Sequence, residues 1–159
     1  MSKTTISAGH PFDQAMALKP VTVTAHEHGR ESTRHWQGQT HPAYANMVGP
    51  FGGVTAAQAL QAVLLHPERL GEPVSFTANF AAALADGTFR VEARPVRTNR
   101  STQHWLVTVS QTDAVGVDSV VLTATAVTAV RRSTWSAADA VMPTVPRPED
   151  IVRASLAKR

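Results

Sequence analysis

The chain has 159 residues and no cysteine. Disulfides, thiolate-ligated zinc, iron–sulfur clusters and a cysteine nucleophile are therefore excluded. Lysine is scarce: it supplies three of the fifteen basic residues, and arginine the rest. No five-residue window is mostly basic, and the aromatics do not interleave with cations, so no nucleic-acid partner is expected. No apolar run approaches the ~20 residues needed to span a bilayer. The opening MSKTTISAGH has no apolar core segment, which predicts no secretory leader. No carboxylate stands between Glu31 and Glu68. No Gly-x-Ser-x-Gly occurs, and no Ser/His/Asp order suggests a triad. His26-x-His28 would share one strand face, yet no third histidine or carboxylate stands at ligand spacing, so neither metal nor cofactor is expected.

What is present is an ordinary globular composition, 43% hydrophobic and 17% charged, with a formal net charge of +3. The length suits one domain. A cytoplasmic setting fits a chain with no cysteine and no leader pattern.

Phe12, Ala15, Met16 and Leu18 suggest a short amphipathic turn that Pro20 stops. Residues 21–25 (VTVTA) alternate as a strand, Gly29 marks a turn, and residues 32–36 read as its hairpin partner. The stretch HPAYANMVGPFGG, 41–53, is a structured loop. Residues 54–65, VTAAQALQAVLL, form the one unbroken helix, about 18 Å long. Apolar residues occupy almost every direction around it, which predicts a buried helix. Its polar residues Thr55, Gln58 and Gln61 are spaced by three and share one side.

Four β segments follow: 74–84, 88–98, 102–112 and 118–130. Pro95 implies an edge or a bulge. The short turns between them, 85–87 among these, predict an antiparallel meander. A curved antiparallel sheet wrapped around a central helix is an α+β hotdog domain, expected over 1–132. Residues 133–159, with MPTVPRPED, read as a linker-like tail.

The stretch AYANMVGPFGGVTAAQALQAVLL resembles the start of the central helix in acyl-CoA thioesterase II-like proteins of the hotdog superfamily. PVSFTANFAAALADGTFRVEARPVR, NRSTQHWLVTVSQTD and SVVLTATAVTAV keep the order and spacing of that family. Members are usually double hotdogs, and this chain resembles the N-terminal one. The resemblance implies hydrolysis of an acyl-CoA thioester to free acid and CoA. In the family the carboxylate that orients the attacking water lies in the second half; here the position corresponding by repeat is Gln58. The implied enzyme is accordingly slow, and the alternative is a non-catalytic acyl-CoA-binding or interaction module.

Within that context Gly52 and Gly53 are candidate oxyanion donors, because the first N–H groups of a helix lack internal partners. They also suit a tight loop-to-helix turn. Gln58 can orient a water but cannot take its proton; it can equally be a core amide satisfied by backbone. Asn46 can hold the thioester or a water, or cap its own loop. Tyr44 shares that loop, and nothing sets His41 or His66 against a nucleophile. Thr102 is a second candidate for holding the water. Arg94, Arg97, Arg100 and Ser101 match the phosphate oxygens of a CoA nucleotide, or are ordinary residues of a solvated strand end. A lone hotdog leaves a sheet edge open, so a homodimer is expected, with Gln58 and Gly53 of opposite subunits in each tunnel.

Overall fold

The computed structural model describes residues 9–22 and 32–151. Helix α1 (Pro11–Ala15) starts with proline at a position where its missing N–H costs nothing, and the His10 imidazole accepts from the Phe12 N–H. Strand β1 (Lys19–Val21) pairs antiparallel with β2 (Arg34–Gln39), Val21 opposite His35. The predicted first hairpin thus forms two residues early on its entering strand. Residues 23–25, Gly29 and the His26-x-His28 pair lie outside the described residues.

A 3-10 turn (Pro42–Tyr44) leads into a two-residue hairpin, β3 (Ala45–Asn46) and β4 (Gly49–Pro50). Helix α2 (Gly52–Leu64) then runs for 13 residues. It begins two residues before the apolar run, because Phe51 is extended and Gly52 already takes helical geometry. The chain continues with β5 (Glu72–Phe80), β6 (Thr88–Thr98), β7 (Thr102–Thr112) and β8 (Asp118–Ala129).

Strands β1, β2 and β5 to β8 make one antiparallel sheet in the order β1-β2-β6-β7-β8-β5. The sheet with its packed helix is a single hotdog, as the sequence predicts. The four-strand meander is not. Only β6, β7 and β8 are joined by tight turns; β5 pairs with β8, and residues 81–87 carry the chain across to β6. Strand β5 also ends at Phe80, four residues early. Ala81 and Ala82 both donate to the Val121 carbonyl, which ends the ladder with β8. A run of alanines in FAAALA has no β-branched residue to favour extension beyond that point.

The core lies between α2 and one sheet face. Directly paired inward residues Trp36, Val91, Val109 and Leu122 cross four strands in one row. The next inward row is Ala93, Val107, Ala124 and Ala78. These alanines let the helix approach closely, and Ala59, Ala62 and Val63 are fully buried against the sheet. The helix is not covered all round. Ala56, Ala57, Leu60, Gln61 and Leu64 are only half-buried, because the sheet stays open and wraps one side.

Proline 95 sits where the β6–β7 register shifts, a bulge in a central strand that absorbs its missing N–H. Residues 130–151 carry no strand, and their only helical turn is the 3-10 turn Pro148–Asp150. Among the described residues no helix is long and apolar enough to cross a membrane.

Candidate functional site

Helix α2 begins without a side-chain cap. Phe51 is held by its own N–H, which donates to the Tyr44 carbonyl at 2.8 Å. The Phe51 carbonyl accepts from Val54 and, at 3.4 Å, from Thr55. Among the described residues no acceptor meets the N–H groups of Gly52 and Gly53. These two donors point out of the positive end of the helix dipole.

A cleft of about 180 Å³ opens beside them. It lies between the start of α2, the β3–β4 hairpin and the end of β5. Thr55 and Val121 are buried in its lining; Phe80, Leu84, Val48 and Ala83 complete much of the wall. Among the described residues no carboxylate lines it. Thr55 is only 4% exposed.

The glycines have a local reason beyond ligand approach. A Cβ on Gly52 would stand 3.1 Å from the Phe80 ring, and one on Gly53 would stand 2.5 Å from the Phe51 ring. Each missing side chain is replaced by a phenyl ring from the chain itself.

Asn46 lines the cleft, and its Oδ1 accepts from the Val48 N–H at 2.9 Å. It caps its own hairpin while its amide end stays exposed. Gln58 lies one turn beyond Thr55 and is 2% exposed. Its Nε2 donates to the Ala15 carbonyl at 2.6 Å and the Gln39 carbonyl at 3.2 Å. Both amide hydrogens therefore join α2 to the end of α1 and the end of β2. Asn46 and Gly52 line the cleft, whereas Gly53 and Gln58 do not.

The arginine group lies elsewhere. Arg97 Nε donates to Asn99 Oδ1 at 3.1 Å, and Asn99 Nδ2 donates to Thr102 Oγ1 at 3.1 Å. The Ser101 carbonyl accepts from Val130. This hydrogen-bonded turn carries Arg97, Arg100, Ser101 and Thr102 at the end of the sheet where Ala129 pairs with Glu72. The cleft is at the opposite end, at Val121. The eight steps from Val121 to Ala129 separate the two ends by about 26 Å. Arg94 is apart from both, in a groove on the outer sheet face with Glu92, Leu106, Thr108 and Thr125.

The nearby histidines are structural. His41 Nδ1 accepts from the Ala43 N–H and caps the 3-10 turn. His66 is 3% exposed; its Nε2 donates to the Ser32 carbonyl and its Nδ1 accepts from the Glu68 N–H. Burial holds its pKa below the ordinary 6.5, against smaller opposing pulls from the Ser32 bond and the Glu68 charge. Phe51, Phe80 and Leu84 were not among the site residues read from sequence. Phe80 and Leu84 sat in an apparently regular strand, and only its loss of β-branched residues after Thr77 signalled a bend.

A profile of the family described as acyl-CoA thioesterase N-terminal domain matches residues 41–129. A conserved protein of unknown function with a hotdog fold from Alicyclobacillus acidocaldarius is 48% identical, with a TM-score of 0.71 over 92% of this chain and 51% of that one. A thioesterase II candidate from Thermobifida fusca is 19% identical, with a TM-score of 0.67 over 87% of this chain and 46% of that one. A phenylacetic acid degradation protein from Thermus thermophilus is 19% identical, with a TM-score of 0.59 over 77% of this chain and 100% of that one. The latter two share the fold. No curated protein matches the chain. The chain spans about half the length of the Alicyclobacillus and Thermobifida proteins. With a profile that covers more than half of its residues, the chain belongs to the acyl-CoA thioesterase N-terminal domain family of hotdog proteins.

Proposed function

We propose that the protein hydrolyses acyl-CoA thioesters at the cleft beside the start of α2. The observation that carries this reading is the pair of N–H donors on Gly52 and Gly53, without acceptors among the described residues, at a helix start whose Gly52 lines an apolar cleft. Water adds to the thioester carbon, and the carbonyl electrons move onto oxygen, where the two N–H groups and the helix dipole stabilise the charge. Collapse breaks the C–S bond, and the CoA sulfur leaves with the proton that water gave up. Asn46 holds the attacking water from the exposed end of its amide. Gln58 serves as a positioning residue that fixes α2 through the Ala15 and Gln39 carbonyls. General-base help is typically worth ~10²–10⁴-fold, and among the described residues no carboxylate lines the cleft, so turnover is slow.

The CoA nucleotide binds at the Arg97, Arg100, Ser101 and Thr102 turn of a second copy. Within one protomer that turn is at the wrong end of the sheet. Strand β5 is an open edge, and antiparallel pairing of two β5 strands would set the Glu72 end of one copy beside the Phe80 end of the other. The partner's Thr102 row would then lie about two strand spacings, roughly 10 Å, from that junction. A homodimer therefore completes a site that one copy only half contains. A cytoplasmic setting belongs to the same reading. The outer-face position of Arg94 gives it a lesser part in nucleotide binding.

The absence of a carboxylate from the described lining of the cleft favours one other reading, an acyl-CoA-binding module without turnover. Free-thiol release from a panel of acyl-CoAs separates the two. Release above background, with a raised KM when Arg97 and Arg100 are both changed to Ala, supports hydrolysis. Saturable acyl-CoA binding without release selects the binding module.

A further inference from the structure

We propose that the cleft beside α2 is an acyl subsite limited to short acyl groups, up to about eight carbons or a single aryl ring, and that Phe80 sets that limit. The inference rests on the thioester reading above and adds the substrate class. A closed apolar cavity of roughly 150 Å³ holds one benzene. The cleft has about 180 Å³, room for one ring and a linking methylene, or for an extended chain of similar volume. A sixteen-carbon chain is about twice that size.

The walls are fixed by packing. Thr55 and Val121 are 4% exposed, and Leu84 packs against the main core, so the cleft does not deepen without disturbing it. Gly49 in the hairpin approaches the Leu84 backbone closely: a Cβ there would stand 3.3 Å from the Leu84 carbonyl oxygen. Phe80 is the movable wall. It is 58% exposed and its ring leans on Gly52, so it borders the start of the helix and the apolar space.

Thr55 lines the cleft and is 4% exposed, so its hydroxyl is a polar group set among the apolar walls. Thr55 follows Gly52 by three residues, so the two share one helix face. The cleft thus has one polar corner, suited to a thioester oxygen or its water, and apolar walls for the carbon chain.

The test measures kcat/KM for hexanoyl-, phenylacetyl-, dodecanoyl- and palmitoyl-CoA with the wild type, Phe80→Ala and Ala83→Phe. Both substituted side chains are exposed, so the fold tolerates the changes. The proposal expects hexanoyl- and phenylacetyl-CoA to exceed palmitoyl-CoA by at least tenfold. It expects Phe80→Ala to raise dodecanoyl relative to hexanoyl turnover at least fivefold, and Ala83→Phe to cut hexanoyl turnover tenfold. Palmitoyl-CoA turned over as well as hexanoyl-CoA, or an Ala83→Phe variant unchanged on hexanoyl-CoA, overturns the short-chain limit and leaves hydrolysis standing. No turnover of any thioester refutes hydrolysis instead. Calorimetric binding then decides: hexanoyl-CoA bound at least tenfold tighter than both CoA and palmitoyl-CoA, and weakened by Ala83→Phe, supports the subsite, and equal binding refutes it.

Discussion

The Phe80 ring occupies the place where a side chain on Gly52 would be, with 3.1 Å between its Cε1 and a Cβ built on that glycine. Phe80 is exposed enough to yield by a few tenths of an ångström. Gly52→Ala should therefore fold normally and shift the melting temperature by less than about 3 °C. Circular dichroism melts of the two proteins check this. A larger fall would mean that the ring is held more tightly than its exposure implies.

Gln58 joins three elements through one amide. Gln58→Ala leaves the Ala15 and Gln39 carbonyls unpaired and opens a void in the core. The expected loss is about 2–4 kcal/mol, read from urea unfolding. Gln58→Glu keeps the shape but places a carboxylate against two carbonyl oxygens. It should be destabilised at pH 7 and should recover part of the difference at pH 5, where a protonated carboxyl can donate once. A Gln58→Ala protein as stable as wild type would contradict the positioning role.

Gly71 has φ +74°, and a Cβ there would stand 2.2 Å from the Ala129 backbone. Neither strain nor overlap can be relieved by turning a side chain. Gly71→Ala should lose at least about 3 kcal/mol or fail to accumulate as folded protein. Soluble yield and urea midpoint report it.

His66 gives a pH dependence with a definite sign. Its buried, edge-on contact with Trp105, 4.8 Å between centroids, and its two hydrogen bonds suit the neutral ring. Because burial lowers the folded-state pKa, the unfolded chain takes up a proton first as pH falls. This contribution is full above about pH 6.5 and is lost progressively below it, until the folded ring is protonated as well. Urea midpoints at pH 7.5, 6.0 and 5.0 should fall more steeply for the wild type than for His66→Gln. Parallel slopes would remove His66 as the cause.

The helix and the strand identities were legible because their patterns are strong. Val54 to Leu65 has no breaker, and Trp105, Val107 and Val109 alternate cleanly into the core. The partner of β5 was not legible. Sequence neighbours and turn residues favour a hairpin with β6, whereas β5 crosses over to form its ladder with β8. The glycines at the helix start were readable as donors, but the rings of Phe51 and Phe80 above them were not, because those contacts depend on where the strand bends. The separation of the arginine turn from the cleft follows from strand direction in the sheet, which residue spacing does not encode.

The central claim is that the Gly52 and Gly53 N–H groups together hold the developing oxyanion, and a pair of substitutions at Gly52 tests it most directly. Proline is tolerated at the first helical position, and Phe51 already has the extended backbone that a following proline requires. Gly52→Ala keeps the N–H, and Gly52→Pro removes it. In hexanoyl-CoA hydrolysis Gly52→Pro should have a kcat about 10²–10³-fold below Gly52→Ala, with KM within about threefold. Equal kcat for the two folded variants would contradict the claim.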